Sequence, residues 1–318
     1  MENNIWQMFI SGYGEYLEPA LQKGLGGVIL FSKDIKTEKE LRENILRIKN
    51  KSAITPFVAI DQEGGRVERT ESIRSKRLSP RFAFQKGEEY LRAQSEEIAK
   101  ELRDWGFNLN FAPCVDVNTN SNNPIIGERA FSDEPDGVIK GADIFVEAMR
   151  KYGIIPCIKH YPGHGDADMD SHLTLPKIDL TLEEMENTHI KPFKHEISKD
   201  IEMIMAAHIH CTCFDKESLP SSLSCNAIGY LRNKLHYEGI IISDDMVMKG
   251  VQKYESAEAL IMGLKAGLDM FIFRETDEKT YQIIEEFVNR VLTNNVLMDL
   301  VMCSNERIVK LKHRAGLV

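Results

Sequence analysis

With 318 residues, 42% hydrophobic and 28% charged, the chain is long enough to bury a large core, and its ordinary composition excludes disordered, collagen-like and coiled-coil proteins. Forty Lys and Arg stand against 49 Asp and Glu, and a net charge of -9 gives no general attraction for a phosphate backbone, so no nucleic-acid partner is expected. No stretch reaches the roughly 18 uninterrupted apolar residues of a membrane span, and MENNIWQMFISGYGEYLEP lacks the basic and apolar regions of a secretory leader. Six sparse cysteines suit a reducing compartment, so a cytoplasmic protein without a membrane partner is expected. Cys211 and Cys213, one residue apart, match neither the usual zinc spacing nor a redox CxxC.

In chain order, apolar runs occur at 26–31 (GGVILF), 56–61 (PFVAID), 107–117 (FNLNFAPCVDV), 154–160 (IIPCIKH), 201–209 (IEMIMAAHI), 239–245 (GIIISDD) and 266–273 (AGLDMFIF), with SSLSC at 221–225 as a weak eighth. Between several of them lie segments of helical spacing, such as Leu41, Ile45 and Ile48, or Leu91, Ile98 and Leu102. Thr181 and Glu184 have the spacing of a capping box. Near-continuous apolar strands alternating with helices predict an α/β chain with a parallel sheet covered by helices, and about eight such units predict a single (β/α)8 TIM-type barrel. A doubly wound open sheet is the alternative, although GLGG at 24–27 lacks the dinucleotide-binding spacing. No linker divides the chain, so residues 1–318 are expected to form one domain without a second, ending in one or two amphipathic helices over about 276–318.

Asp61, Asp116, the Lys159 and His160 pair, His208 and the Asp244 and Asp245 pair fall at the C-terminal ends of these runs. In a parallel barrel those ends share the face that carries active sites. Each acid taken singly is equally a helix cap, but five coinciding runs argue for one pocket. Asp61, Arg69, Arg129, Lys159 and His160 are fixed donors and acceptors suited to a polyhydroxylated ligand, whereas Arg66 is as readily a structural ion-pair member. Of the two acids at 244 and 245, Asp244 continues the strand and is expected to face the pocket, where a carboxylate suits attack on a sugar carbon. Asp245 is left to supporting or capping contacts.

Residues 159–176, KHYPGHGDADMDSHLTLP, hold three histidines and three aspartates without helix or strand pattern, as active-site loops do. Three readings compete. The Asp166, Asp168, Asp170 spacing imitates the start of a calcium loop, but Ser171 stands where the tight-turn glycine belongs and Lys177 where the bidentate glutamate belongs. A proton-transfer pair is the second reading: Asp170 and His172, two apart, project to one side of an extended backbone, where the carboxylate can orient the imidazole as a general acid. Local stitching is the third, and it is preferred for His164 and Asp166.

The segment KHYPGHGDADMDSH closely resembles the signature of bacterial family 3 glycoside hydrolases of the NagZ type, the β-N-acetylglucosaminidases. GGVILFSKDI, AIDQEGGRVERT, NFAPCVDVN, NPIIGERAFSDEP, MIMAAHI, IISDDMVMKGV and AGLDM resemble family segments in family order, so the resemblance spans roughly residues 5–275. Tyr161 and Ala167 depart from the usual Phe and Thr. The resemblance implies Asp244 as nucleophile, His172 as acid/base with Asp170 as its partner, and Asp61, Arg69, Arg129, Lys159 and His160 as ligands of N-acetylglucosamine. It further implies a single-barrel hexosaminidase with no metal or organic cofactor, acting in the cytoplasm on small carbohydrates: peptidoglycan fragments ending in 1,6-anhydro-N-acetylmuramic acid, or chitooligosaccharides. Retaining hydrolysis would run through a glycosyl-enzyme on Asp244. An imidazole acid/base puts less negative charge beside the incoming nucleophile than a carboxylate would, so an N-acetylglucosaminide phosphorylase is the alternative on this scaffold. A metal-dependent barrel hydrolase and a silent sugar-binding protein are the competing classes.

Overall fold

The computed structural model describes residues 2–167 and 175–318. Ten strands are present among them: β1 (Phe9–Gly12), β2 (Gly27–Leu30), β3 (Phe57–Ile60), β4 (Leu109–Asn110), β5 (Ile155–Tyr161), β6 (Lys177–Ile178), β7 (Met203–Ala206), β8 (His210–Cys211), β9 (Ile240–Asp245) and β10 (Met270–Phe273). Eight of them close a parallel barrel in the order β1-β2-β3-β4-β5-β7-β9-β10, with β10 returning to β1. The short β6 and β8 pair with each other outside it. Most barrel strands are buried along their whole length because helices cover the outside and side chains fill the inside, which is why they read as unbroken apolar runs.

The helices follow from their apolar stripes and caps. Leu41, Ile45 and Ile48 are buried on the helix Glu38–Lys51, whose N-cap Thr37 accepts from the Glu40 amide. Leu91, Ile98 and Leu102 are buried on Glu88–Trp105. The capping box at Thr181 and Glu184 forms as expected and starts the helix Leu182–Asn187. Two helices, Glu278–Leu292 and Asn295–Arg314, make up the C-terminal region. The second docks onto the N-terminal segment, where Asn305 Nδ2 donates to the Asn4 carbonyl at 2.7 Å and Lys312 Nζ to Gln7 Oε1 at 3.0 Å. No helix among the described residues is long and apolar enough to cross a membrane.

Two sequence expectations need correction. SSLSC is not a strand: Ser221–Leu223 is a 3-10 turn and Ser224 caps the helix Cys225–Gly229, accepting from the Ala227 amide. The eighth strand is instead Phe9–Gly12, where the apolar run Met8–Ile10 stops after three residues at Ser11 and Gly12. It is drawn into the barrel by packing. Phe9 pairs with Phe271 in register, their rings 5.7 Å apart, and Phe287 closes on both from the outer helix at 5.5 and 6.1 Å. Likewise, only Leu109–Asn110 of the 107–117 run is laddered on both sides, beyond which Ala112–Pro113 is a cis peptide and Cys114 bridges to Lys159.

Phe271 is fully buried where the barrel closes, so Phe271→Ala is expected to destabilise the chain by about 3–5 kcal/mol, read as a lowered urea midpoint.

Candidate active site

The C-terminal ends of the barrel strands surround a cavity of about 680 Å³. Asp61, Arg69, Arg129, Lys159, His160 and Asp244 all line it, as do His164 and Asp245. These sequence-selected residues come from separate strands and loops, and the barrel brings them together because every strand points its C-terminus the same way. Asp170 and His172 lie outside the described residues.

Lys159 and His160, joined by a cis peptide bond, end the inner course of β5. Lys159 Nζ lies 2.7 Å from Asp61 Oδ1 and 2.7 Å from Glu63 Oε1. Glu63 also takes a bidentate contact from Arg129, whose Nε and NH2 donate at 2.9 and 2.8 Å. All three of these side chains are almost wholly removed from solvent. Burial opposes the charge on Glu63, but Arg129 and then Lys159 outweigh it and hold the carboxyl far below the usual range. Burial likewise disfavours both cations, yet Glu63 raises Arg129, and Asp61 with Glu63 raises Lys159, so both stay protonated.

Glu63 was not among the residues selected from sequence. Its signal is the run DQEGG, in which it follows Asp61 by two, the spacing that puts alternate side chains of an extended segment on one side. The following turn demands glycine: Gly64 has φ +98°, and a Cβ there would lie 2.5 Å from the Leu78 carbonyl oxygen. That turn brings Arg69 back over the site, 3.8 Å from Asp61 Oδ2 and with its guanidinium 5.8 Å from the Phe31 ring centroid. Arg129 ends a 3-10 turn, Gly127–Arg129, anchored by Asn123 Oδ1, which accepts from the Ile125 and Ile126 amides.

Asp116 is a second residue that sequence placed at a strand end without assigning it a task. Fully buried, it accepts from His160 Nδ1 at 2.7 Å and from the backbone amides of His160 and His164. Burial opposes its charge, but His160 and His164 prevail and its pKa is strongly depressed. Arg129 NH2 donates to the other ring nitrogen of His160 at 3.3 Å; guanidinium has only donors, so Nε2 accepts and the imidazole proton sits on Nδ1 toward Asp116. Cys114, Asp116 and His160 bring three donor atoms close enough for a metal ion. Burial pushes the Cys114 thiol well up, however, and Asp116 is already saturated by donors, so this trio is poorly suited to a cation.

Asp244 faces the cavity as expected from its place on β9, and its Oδ1 accepts from the Asp245 amide at 2.7 Å. Burial would raise its pKa, but His160, His208, that amide and Lys159 together lower it below the ordinary aspartate value. Asp245 does take a supporting position: it pairs with Arg274 and accepts from the Val247 amide at 3.1 Å, while burial raises its pKa. His208 is buried beneath, donating from Nε2 to the Asp245 carbonyl at 3.2 Å with Ser222 Oγ 2.7 Å from Nδ1. Asp166 stitches the loop as the local reading had it, accepting from Thr119 Oγ1 at 2.9 Å, whereas His164, held through its backbone carbonyl by Asn123 at 2.8 Å, lines the cavity. At Gly165 a Cβ would lie 1.8 Å from the Val117 carbonyl oxygen, so the loop can cross the β4 side here only as glycine.

The sequence profile of the glycosyl hydrolase family 3 N-terminal domain matches residues 13–311. This chain belongs to glycosyl hydrolase family 3. The match runs past the segment that resembled the family by motif and takes in the C-terminal helices. Within the family, the chain is 33% identical over 292 residues to a beta-hexosaminidase of Methylococcus capsulatus, covering 89% of this chain and 86% of that protein. It is 31% identical over 317 residues to Beta-hexosaminidase A of Pseudoalteromonas piscicida, covering 91% of this chain but 53% of that one. A family 3 β-N-acetylglucosaminidase from Paenibacillus superposes with a TM-score of 0.94 at 25% identity, over 100% of this chain and 63% of that one. The family 3 chain therefore spans about half the length of the Pseudoalteromonas relative and under two thirds of the Paenibacillus protein.

Glu63→Gln is expected to cost about 3–5 kcal/mol at pH 7, because it leaves two buried cations without their shared carboxylate. Since folding depresses the Glu63 pKa, its stabilisation is full above the unfolded value, about 4.3, and is lost as pH falls below it. The gap between wild type and Glu63→Gln in urea denaturation should accordingly narrow as the pH is lowered from 5.

Proposed function

We propose that this chain is a retaining β-N-acetylhexosaminidase that removes a non-reducing terminal N-acetylglucosamine. The observation that carries the reading is Asp244, an acid kept ionised at the wall of a pocket whose fixed donors and acceptors number Asp61, Arg69, Arg129, Lys159 and His160. An ionised carboxylate is the form that attacks an anomeric carbon or stabilises an oxocarbenium ion. Lys159 and Arg129 are clamped by Glu63, so they present donors at set positions to sugar hydroxyls and do not reorganise when the sugar enters. The names of the beta-hexosaminidase relatives favour an N-acetylated sugar.

In the proposed cycle Asp244 attacks the anomeric carbon while His172, oriented by Asp170, protonates the leaving oxygen. The same imidazole then takes a proton from water, which attacks the glycosyl-enzyme and frees Asp244. A peptidoglycan fragment ending in 1,6-anhydro-N-acetylmuramic acid is the proposed substrate, with chitooligosaccharides as the competing one. The six cysteines are all unpaired, which accords with the reducing cytoplasm proposed as the site of action.

Asp244→Ala should lower turnover of a β-N-acetylglucosaminide by at least about a thousandfold with the circular dichroism spectrum unchanged; near-native rates in that variant would refute the assignment. His172→Ala should slow substrates with poor leaving groups roughly 100- to 10,000-fold and spare activated aryl glycosides, since only the former require a proton. Proton NMR of the first-formed product, with and without phosphate, separates the remaining outcomes. The β-anomer supports retention, the α-anomer excludes a glycosyl-enzyme, and a sugar phosphate assigns phosphorolysis.

A further inference from the structure

On the outer helical layer, apart from the residues that line the cavity, three donors meet between two packed helices. Asp143 comes from the helix Pro135–Lys151, and His195 and Glu196 from Lys191–Ile197. A ring nitrogen of His195 and one carboxylate oxygen each of Asp143 and Glu196 lie within 4.8 Å of one another. His195 Nε2 is 3.0 and 3.1 Å from the two Asp143 oxygens.

Glu196 sets this cluster apart from an ordinary surface ion pair. It has 0% exposure, and neither of its oxygens has a hydrogen-bond partner. Buried carboxylates are normally paired, hydrogen-bonded or bound to a metal. Of the neighbouring cations, Arg150 holds Glu202 and the carbonyls of Lys199 and Asp200, while Lys199 pairs with Asp143, a contact that an ion bound there would displace.

We propose that Asp143, His195 and Glu196 bind a divalent transition-metal ion, zinc above others, which clasps the two helices together. One imidazole and two carboxylates form a borderline-hard donor set suited to zinc, whereas magnesium and calcium prefer oxygen alone. Tetrahedral zinc with bonds of about 2.1 Å separates its ligand atoms by about 3.4 Å, so the observed spread closes with small side-chain rotations. Asp143 and His195 keep 23% and 30% of their side-chain surface exposed, which gives the ion an entry path and leaves its fourth position to water. Zinc would replace the Nε2 proton that Asp143 now accepts and would give Glu196 its missing partner.

The test titrates zinc chloride into the whole chain by calorimetry, with the melting temperature followed in parallel, against Glu196→Gln and Asp143→Asn, which preserve side-chain size. The whole chain should bind a zinc ion that each variant binds at least about tenfold more weakly. Its zinc-dependent rise in melting temperature should be reduced in both. An isotherm unchanged in either variant would assign the binding to other groups and overturn the three-ligand site. Absence of any zinc-dependent change in the whole chain's melting temperature would overturn it as well.

Discussion

Lys159 and Arg129 reach the barrel mouth from different segments, and two cations converging on one buried carboxylate could not share that space without it. Glu63 is that carboxylate. A buried pair of this kind contributes little net stability, since desolvation offsets most of the attraction, but removing one partner is costly. Its effect is therefore positional. With Glu63 in place, Lys159 reaches Asp61, Arg129 reaches His160, and the polar wall of the cavity becomes one continuous network.

The same logic extends outward to Asp116 and His208. Asp116 orients His160 by a side-chain and a backbone contact and ties in the His164 amide, so the start of the 159–176 loop is fixed even though its neighbours are backbone turns. His208 supports the end of β9 through the Asp245 carbonyl. Around Asp244, then, lie groups that favour its ionised form, while the adjacent Asp245 is pushed the other way and balanced by Arg274. Two neighbouring acids thereby acquire different characters from burial and partners alone.

Much of this was legible in the chain. The β5 run ends in Lys159 and His160, and the β9 run ends in Asp244, because a parallel strand that is apolar throughout must change character where it meets solvent. That change is visible in one dimension. Glu63 and Asp116 were less legible, since an acid beside a strand end is equally a helix cap until its partners are known. Phe9–Gly12 was less legible because its apolar run, Met8–Ile10, is cut short by Ser11 and Gly12, and SSLSC, at the weak eighth run, is a turn and a helix cap. The Asp143, His195 and Glu196 cluster left no mark in sequence, since its members sit 52 residues apart on two helices.

Local pattern thus determined the alternation of strand and helix, the barrel, and which polar residues end up on its C-terminal face, because hydrophobic period and strand polarity are properties of consecutive residues. Which acid pairs with which base, which carboxylate is held ionised, and which strand closes the ring were decided only by the folded chain. Those outcomes depend on burial and on charges brought together from distant segments, and neither exists until the barrel has formed.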